Sequence, residues 1–85
     1  MLTIKVLGSG CNNCKKLEAV VHQVVDQMDV EAEIIKVTEY SDIMAYNIMS
    51  TPGLVISEKV VSSGRIPSAA EITTFIASAL EVANP

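Results

Sequence analysis

From Leu2 to Leu7 the chain alternates: Leu2, Ile4 and Val6 fall on one side, Thr3 and Lys5 on the other, and Leu7 extends the run. A period of two is that of a strand, and Gly8 and Gly10 end it. The period then changes. Leu17, Val20, Val21, Val24, Val25 and Met28 recur at helical spacing, with Lys15, Lys16, Glu18, His22, Gln23, Asp26 and Gln27 between them. This pattern predicts an amphipathic helix from near Cys11 to near Met28. Ala32 to Val37 reads as a second strand. Its β-branched residues and its place after a helix predict a parallel partner for the first. Glu39 to Tyr46, with Tyr40, Ile43 and Met44, is a short helix that Asn47 can close in the left-handed conformation. Beyond Thr51-Pro52-Gly53 come two short β-rich runs, Leu54 to Ile56 and Lys59 to Ser62. They flank Ser57 and Glu58 as a hairpin would. No Asn-Gly or Asp-Gly names the turn type. Ser68-Ala69-Ala70-Glu71 fits a capping box, and Ile72, Phe75, Ile76, Ala79 and Leu80 give the last helix its apolar face. Asn84-Pro85 closes the chain.

The order strand, helix, strand, helix, strand, strand, helix defines an α/β fold. It predicts a four-stranded mixed sheet with helices on both faces, in one domain over residues 1–85. The first helix is the crossover between the two parallel strands. No internal repeat, low-complexity stretch or linker interrupts the pattern.

Composition narrows the function. The 85 residues carry a net charge of −4, with acidic and basic side chains interspersed. No basic run exists to neutralise phosphates, so nucleic acid is not an expected partner. No apolar stretch approaches the ~20 residues that span a bilayer, so no membrane is expected either. Hydrophobic content of 49% against 19% charged is that of a folded domain, not a disordered one. The N-terminal run is too short and too alternating for a secretory segment. A cytoplasmic location follows as the simplest expectation, and structural disulfides are uncommon there.

The chain has two cysteines, and both lie in GSGCNNC, residues 8–14. A bridge between Cys11 and Cys14 closes so little chain that its entropic effect is minor. The pair therefore reads as chemical, not structural. The thiolate is the reacting form, and an unperturbed thiol near pKa ~8.5 is only a few per cent ionised at pH 7. Cys11 falls at a helix start, where free N–H groups and the positive dipole end stabilise an anion. Lys15 and Lys16 add charge one turn on. Residues three apart on a regular helix have Cβ atoms ~5–6 Å apart, and a first turn can tighten enough to close a disulfide. Cys11, the outer thiol, is the candidate nucleophile, and Cys14 the resolving thiol. CxxC beside a βαβ pattern points to thiol–disulfide exchange.

Two other readings stand beside it: idle thiols, and a soft-metal or metalloid module. Gly-x-x-Cys-x-x-Cys also resembles heavy-metal-associated copper chaperones, but those run βαββαβ, an order different from this one. Two thiols in one chain cannot close a four-ligand zinc site, though a dimer could share one. Thr51-Pro52 likewise has two readings. The proline can simply begin a strand. Alternatively it follows a cis peptide bond that leaves the Thr51 backbone unpaired and facing the cysteines, where an extended peptide could pair with it.

Taken together, strand–CxxC–helix, Thr-Pro before a hairpin, Gly64 and a Ser-capped final helix resemble the thioredoxin fold. The length is closest to glutaredoxins and to small archaeal and bacterial glutaredoxin-like thioredoxins. The runs VLGSGCNNCKKLE, IMSTPGLVI and GRIPSAAEI resemble that small group, sometimes labelled redox-active disulfide protein 2. The resemblance implies a thiol–disulfide oxidoreductase or electron carrier in which Cys11 attacks and Cys14 resolves. Pro52 would be the cis-proline beside them, and Thr51 would offer backbone bonds to substrate. Gly8, Ser9 and Gly10 would form the loop before the active site, with Gly10 at the substrate. The implied partners are disulfide-containing proteins and an upstream reductase. The implied redox group is the Cys11–Cys14 disulfide itself, with no added cofactor and no metal.

The sequence departs from the family at several points. No Trp precedes Cys11, and Asn12-Asn13 stands between the cysteines. Lys5, not an Asp, is the ionisable residue of the first strand. Ser62-Ser63-Gly64-Arg65 replaces the Gly-Gly-x-Asp glutathione signature, which argues against glutathione dependence. Among the remaining residues, His22 reads as a solvated helix position and Met28 and Met44 as core filler. Tyr40 and Tyr46 should be half-buried, and Arg65 should face water. Met49 reads either as buried or as a rim contact for substrate. A monomer is expected.

Overall fold

The protein is represented by a computed structural model that describes residues 2–83, with side chains through Glu81; Asn84-Pro85 lies outside the described residues. The elements are β1 (Leu2–Leu7), α1 (Asn12–Met28), β2 (Ala32–Val37), α2 (Tyr40–Met44), β3 (Gly53–Ile56), β4 (Lys59–Ser63) and α3 (Ala69–Ala83). The sheet order is β2-β1-β3-β4. β1 is parallel to β2 and antiparallel to β3, and β3 is antiparallel to β4.

The alternation in β1 sorts its side chains between two cores. Leu2, Ile4 and Val6 join Leu54 and Ile56 beneath α1, which contributes Leu17, Val21 and Val24, and α3, which contributes Ile72 and Ile76. Leu7 and Val55 face the other way and meet Ile43 and Ile48. Fully burying one such side chain is worth about 1.5–3 kcal/mol. Ten buried residues on the first face against four on the second therefore make the α2 side the thin side of the domain.

That thinness corrects two expectations. The second helix spans Tyr40–Met44, shorter than Glu39 to Tyr46, and Ile43 is its buried residue. One turn of helix presents one position to the sheet. Met44 is accordingly 45% exposed instead of filling the core, and Tyr40 is 69% exposed instead of half-buried. Tyr46 is half-buried as expected, and Asn47 adopts the left-handed conformation with φ 61°.

The hairpin turn is built from residues that do not advertise it. Ser57 and Glu58 both have positive φ, 51° and 67°, the type I′ pattern that matches strand twist. Glu58 then reaches across the sheet. Its carboxylate accepts from the Lys5 ammonium at 2.7 Å and from the Tyr46 hydroxyl at 3.2 Å, while Lys5 also donates to the Tyr46 oxygen at 2.8 Å. The hydrogen bond to Glu58, followed by that to Tyr46, raises the Lys5 pKa above the usual lysine range, and Lys5 lowers that of Glu58.

The capping box of α3 forms as the sequence predicts. Glu71 N–H donates to Ser68 Oγ, and Ser68 N–H donates to Glu71 Oε1, both at 3.2 Å. Arg65 does not simply face water. Its guanidinium grips the Glu71 carboxylate with two bonds, at 3.2 and 2.7 Å.

Candidate active site

β1 and β2 run side by side until the Gly8 N–H donates to the Val37 carbonyl at 2.9 Å. The chain then turns sharply through Gly8 (φ 156°) and Gly10 (φ 82°) into α1. The two glycines serve different needs. A Cβ at Gly8 would overlap the Cys14 sulfur and lie 3.7 Å from Thr51 Cβ, whereas a Cβ at Gly10 would meet nothing within 4 Å. Gly8 thus leaves the space in which Cys14 and Thr51 approach each other, and Gly10 lies at an open surface.

Cys11 is the N-cap of α1, with φ −67° and ψ 162°. Its sulfur accepts the Cys14 N–H at 3.1 Å, and its carbonyl accepts the Lys15 N–H at 3.0 Å as the first helical bond. The two cysteines form a disulfide with a Cα–Cα distance of 5.1 Å, well within the range such bonds adopt. They differ in access: Cys11 is exposed, while Cys14 is 5% exposed. Lys15 and Lys16 are exposed, and the first turn carries no acidic residue.

Thr51 and Pro52 arrive from the other side. The Thr51–Pro52 peptide bond is cis. Pro52 is buried, Thr51 is exposed, and the Pro52 carbonyl accepts the Gly64 N–H at 2.9 Å. Among the described residues, the Thr51 N–H and C=O have no backbone hydrogen-bond partner. Met49 is 99% exposed, so of the two expectations for it burial fails. The reason is local: Ile48 is the residue that turns inward, and it packs so closely on Gly53 that a Cβ there would come within 2.8 Å of Ile48 Cδ1.

A cleft of about 290 Å³ opens between α2 and this loop, lined among others by Ser9, Tyr40, Met44, Ile48, Met49 and Thr51. Sequence reading took Met44 as core filler and Tyr40 as half-buried and so missed this cleft. Their i, i+4 spacing on a helix of one turn was the signal that could have found it. A second cleft, about 340 Å³, lies at the far end of β3 against Phe75 and Ala79 and shares no residue with the cysteines. His22 is exposed on α1, as expected. Among the described residues, no group of three or more His, Cys, Asp or Glu side chains gathers at metal-binding range.

Fold and site together describe a CxxC disulfide protein: a strand delivers the first cysteine to a helix N-terminus, and a cis Thr-Pro turn faces the pair. A model of the thioredoxin domain matches residues 2–77, and the chain belongs to that family. It is 35% identical over 81 residues to a thioredoxin of Methanocaldococcus jannaschii, covering 95% of this chain and 93% of the relative. It is 30% identical over 76 residues to a thioredoxin of Methanothermobacter thermautotrophicus, covering 89% and 99%. Among solved structures, thioredoxin 1 of Thermosipho africanus superposes with a TM-score of 0.60 at 23% identity, covering 98% of this chain and 99% of that one. The thioredoxin Deadhead of Drosophila melanogaster gives 0.64 at 18%, covering 91% and 79%. At those identities the two structures speak for the fold alone. The family and the CxxC disulfide make the protein a thiol–disulfide oxidoreductase. Among the described residues, no helix is long and apolar enough to cross a membrane.

Proposed function

We propose that the protein carries electron pairs to disulfides in partner proteins, with Cys11 as the attacking thiolate and Cys14 as the resolving thiol. The asymmetry of the pair carries this reading. Cys11 is exposed at the N-cap with the Cys14 N–H on its sulfur, and Cys14 is buried behind it. In the reduced protein that N–H, the free amides of the first turn and the charges of Lys15 and Lys16 all favour a thiolate at Cys11.

The exchange then runs in two steps. The Cys11 thiolate attacks one sulfur of the partner's disulfide. That bond breaks, and its electron pair leaves with the second partner sulfur, which takes a proton from water. Cys14 gives up its proton to water, and its thiolate attacks the Cys11 sulfur. The first partner sulfur leaves as a thiolate, and the Cys11–Cys14 bond remains. Two electrons have passed to the partner, and an upstream reductase restores the dithiol. The cycle needs no further cofactor.

Thr51 would pair its unpartnered N–H and C=O with an extended segment of the partner, as an added strand does. Pro52 would hold that turn in place, Gly10 would allow close approach, and Met49 would touch the partner chain. A monomer in a reducing cytoplasm suits this role. The described residues gather no third His, Cys, Asp or Glu beside Cys11 and Cys14, so the competing soft-metal reading would need a second copy's cysteine pair to complete a four-ligand site.

Incubating Cys11→Ser and Cys14→Ser variants with an oxidised protein substrate tests the assignment. Cys14→Ser should accumulate a mixed disulfide through Cys11, and Cys11→Ser should not. The reverse pattern would exchange the two roles, and no adduct with either would remove the mechanism.

A further inference from the structure

The cleft of about 340 Å³ at the far end of β3 takes no part in the exchange. It opens where the β3–β4 hairpin meets the second half of α3. The apolar face of that helix is not covered evenly. Ile72 and Ile76 are fully buried, while Phe75 and Ala79 stay half-buried and line the cleft. Val61 of β4 lines it too and is also half-buried, and Ile56 closes the floor. Phe75 is the one phenylalanine of the chain. An aromatic ring is among the largest apolar contributions a small core can have, and here part of it is left facing a concave space. Ile56 lies four residues past Pro52, about 13 Å along the strand, so this cleft is separate from the redox pair.

The polar groups of the lining are few and complementary to an anion. Ser57 and Ser78 contribute hydroxyls, Lys59 is the only charged residue, and no acidic side chain is present. Lys59 also lacks a carboxylate of its own. Among the described residues, Lys5, Lys36 and Arg65 are paired with Glu58, Glu18 and Glu71, and Lys59 is paired with none. A lysine lays its stem along apolar surface and keeps its ammonium in water. The charge of Lys59 therefore stands at the mouth of an apolar space.

We propose that this cleft binds a small amphipathic monocarboxylate, a medium-chain carboxylic acid in its ionised form. The apolar tail lies against Val61, Phe75 and Ala79. The carboxylate stays at the mouth, where the Lys59 ammonium and the Ser57 and Ser78 hydroxyls can donate to it. A cavity of ~150 Å³ holds one benzene, so this one holds about a dozen non-hydrogen atoms, an acid of about eight to ten carbons. Its volume falls within the range of small-molecule sites, which starts near ~300 Å³. An ammonium head would meet Lys59 as a like charge, and a second charge on the tail would lose its water against Phe75 and Val61 without compensation. The binding involves no covalent step and does not rest on the exchange mechanism.

The test titrates octanoate into the isotope-labelled oxidised protein and follows the backbone amide resonances. Saturable shifts are expected at Lys59, Val61, Phe75, Ser78 and Ala79 and not at Cys11 or Cys14, with a Kd of about 0.1–1 mM for a ligand of this size. Octanamide has the same tail and no charge, and it should bind about two- to fivefold more weakly, the worth of an exposed ion pair. Octylammonium should bind more weakly still. Lys59→Gln, a surface change, should bring octanoate down to the affinity of octanamide and leave octanamide unaffected. Ala79→Leu should fill the cleft and weaken both ligands about tenfold or more. The proposal is overturned if octanoate gives no saturable shift by about 10 mM, or if the shifts centre on another surface. It is equally overturned if octanamide matches octanoate on the native protein, or if Lys59→Gln leaves the octanoate affinity unchanged. The Lys59→Gln comparison decides the matter even if Ala79→Leu does not fold.

Discussion

The sulfur of Cys14 occupies the space where a side chain at residue 8 would lie. Gly8 ends the first strand and Cys14 lies in the first turn of the first helix, so the strand-to-helix turn folds one directly onto the other. This packing holds the Cys14 sulfur behind Cys11 and beside Thr51.

Gly8→Ala should therefore impair the redox pair itself. Overpacking of this kind costs about 1–3 kcal/mol, and at residue 8 it falls on a sulfur that must stay within bonding reach of Cys11. The equilibrium constant for closing the intrachain disulfide should drop about tenfold or more, measured by alkylation and mass in a fixed thiol/disulfide buffer. Gly10→Ala is the contrast. Its φ of 82° makes a side chain costly, about 1–2 kcal/mol, but there is no sulfur for it to displace. Its cost should appear in the denaturation midpoint.

Ser57→Asn should stabilise the domain. Ser57 sits at φ 51° in a two-residue turn whose first position favours Asn. Serine carries the strain of a left-handed backbone that Asn tolerates better. A gain of about 0.5 kcal/mol is expected from urea unfolding. No change, or a loss, would mean that the turn does not hold this conformation in solution.

Much of the architecture could be read from periodicity, because the period-two run of Leu2 to Leu7 and the helical run of Leu17 to Met28 each have one buried face. Ser68 and Glu71 could be read from their spacing, and Cys11 and Cys14 from theirs. What escaped reading depends on chain segments meeting far from each other in sequence. Lys5 finds Glu58 only after β1 has paired with β3 and the β3–β4 turn has formed, and Arg65 finds Glu71 across a loop with no helical register. Tyr40 and Met44 misled because their pattern is that of a helix with an inward face, while a single turn can bury only Ile43. Gly8 and Gly10 read alike as loop residues, and only the packed structure separates the one that makes room for Cys14.

The Arg65–Glu71–Ser68 cluster should give the domain a pH signature. Hydrogen bonds from Arg65, then from the Ser68 backbone, lower the Glu71 pKa from 4.5 to about 2. A carboxyl group depressed in the folded state contributes fully above its unfolded pKa and loses that contribution as pH falls through the folded one. The stability difference between the native protein and Glu71→Gln should thus be largest above pH ~5 and shrink from there towards pH ~2. Both side chains are about half exposed, so added salt should reduce the difference too. Ser68→Ala should cost about 1 kcal/mol as a lost N-cap. Urea midpoints across pH would check both, and a Glu71→Gln difference independent of pH would contradict the cluster.

The exchange mechanism requires that Cys11 and Cys14 form a reversible couple within one chain. Equilibrating the metal-free protein in graded dithiol/disulfide buffers, quenching with an alkylating agent and weighing the products tests it most directly. One two-electron transition is expected between a doubly alkylated and an unalkylated monomer, with a midpoint that defines the direction of electron flow. Thiols that remain reduced throughout, or that oxidise only between chains, would contradict it.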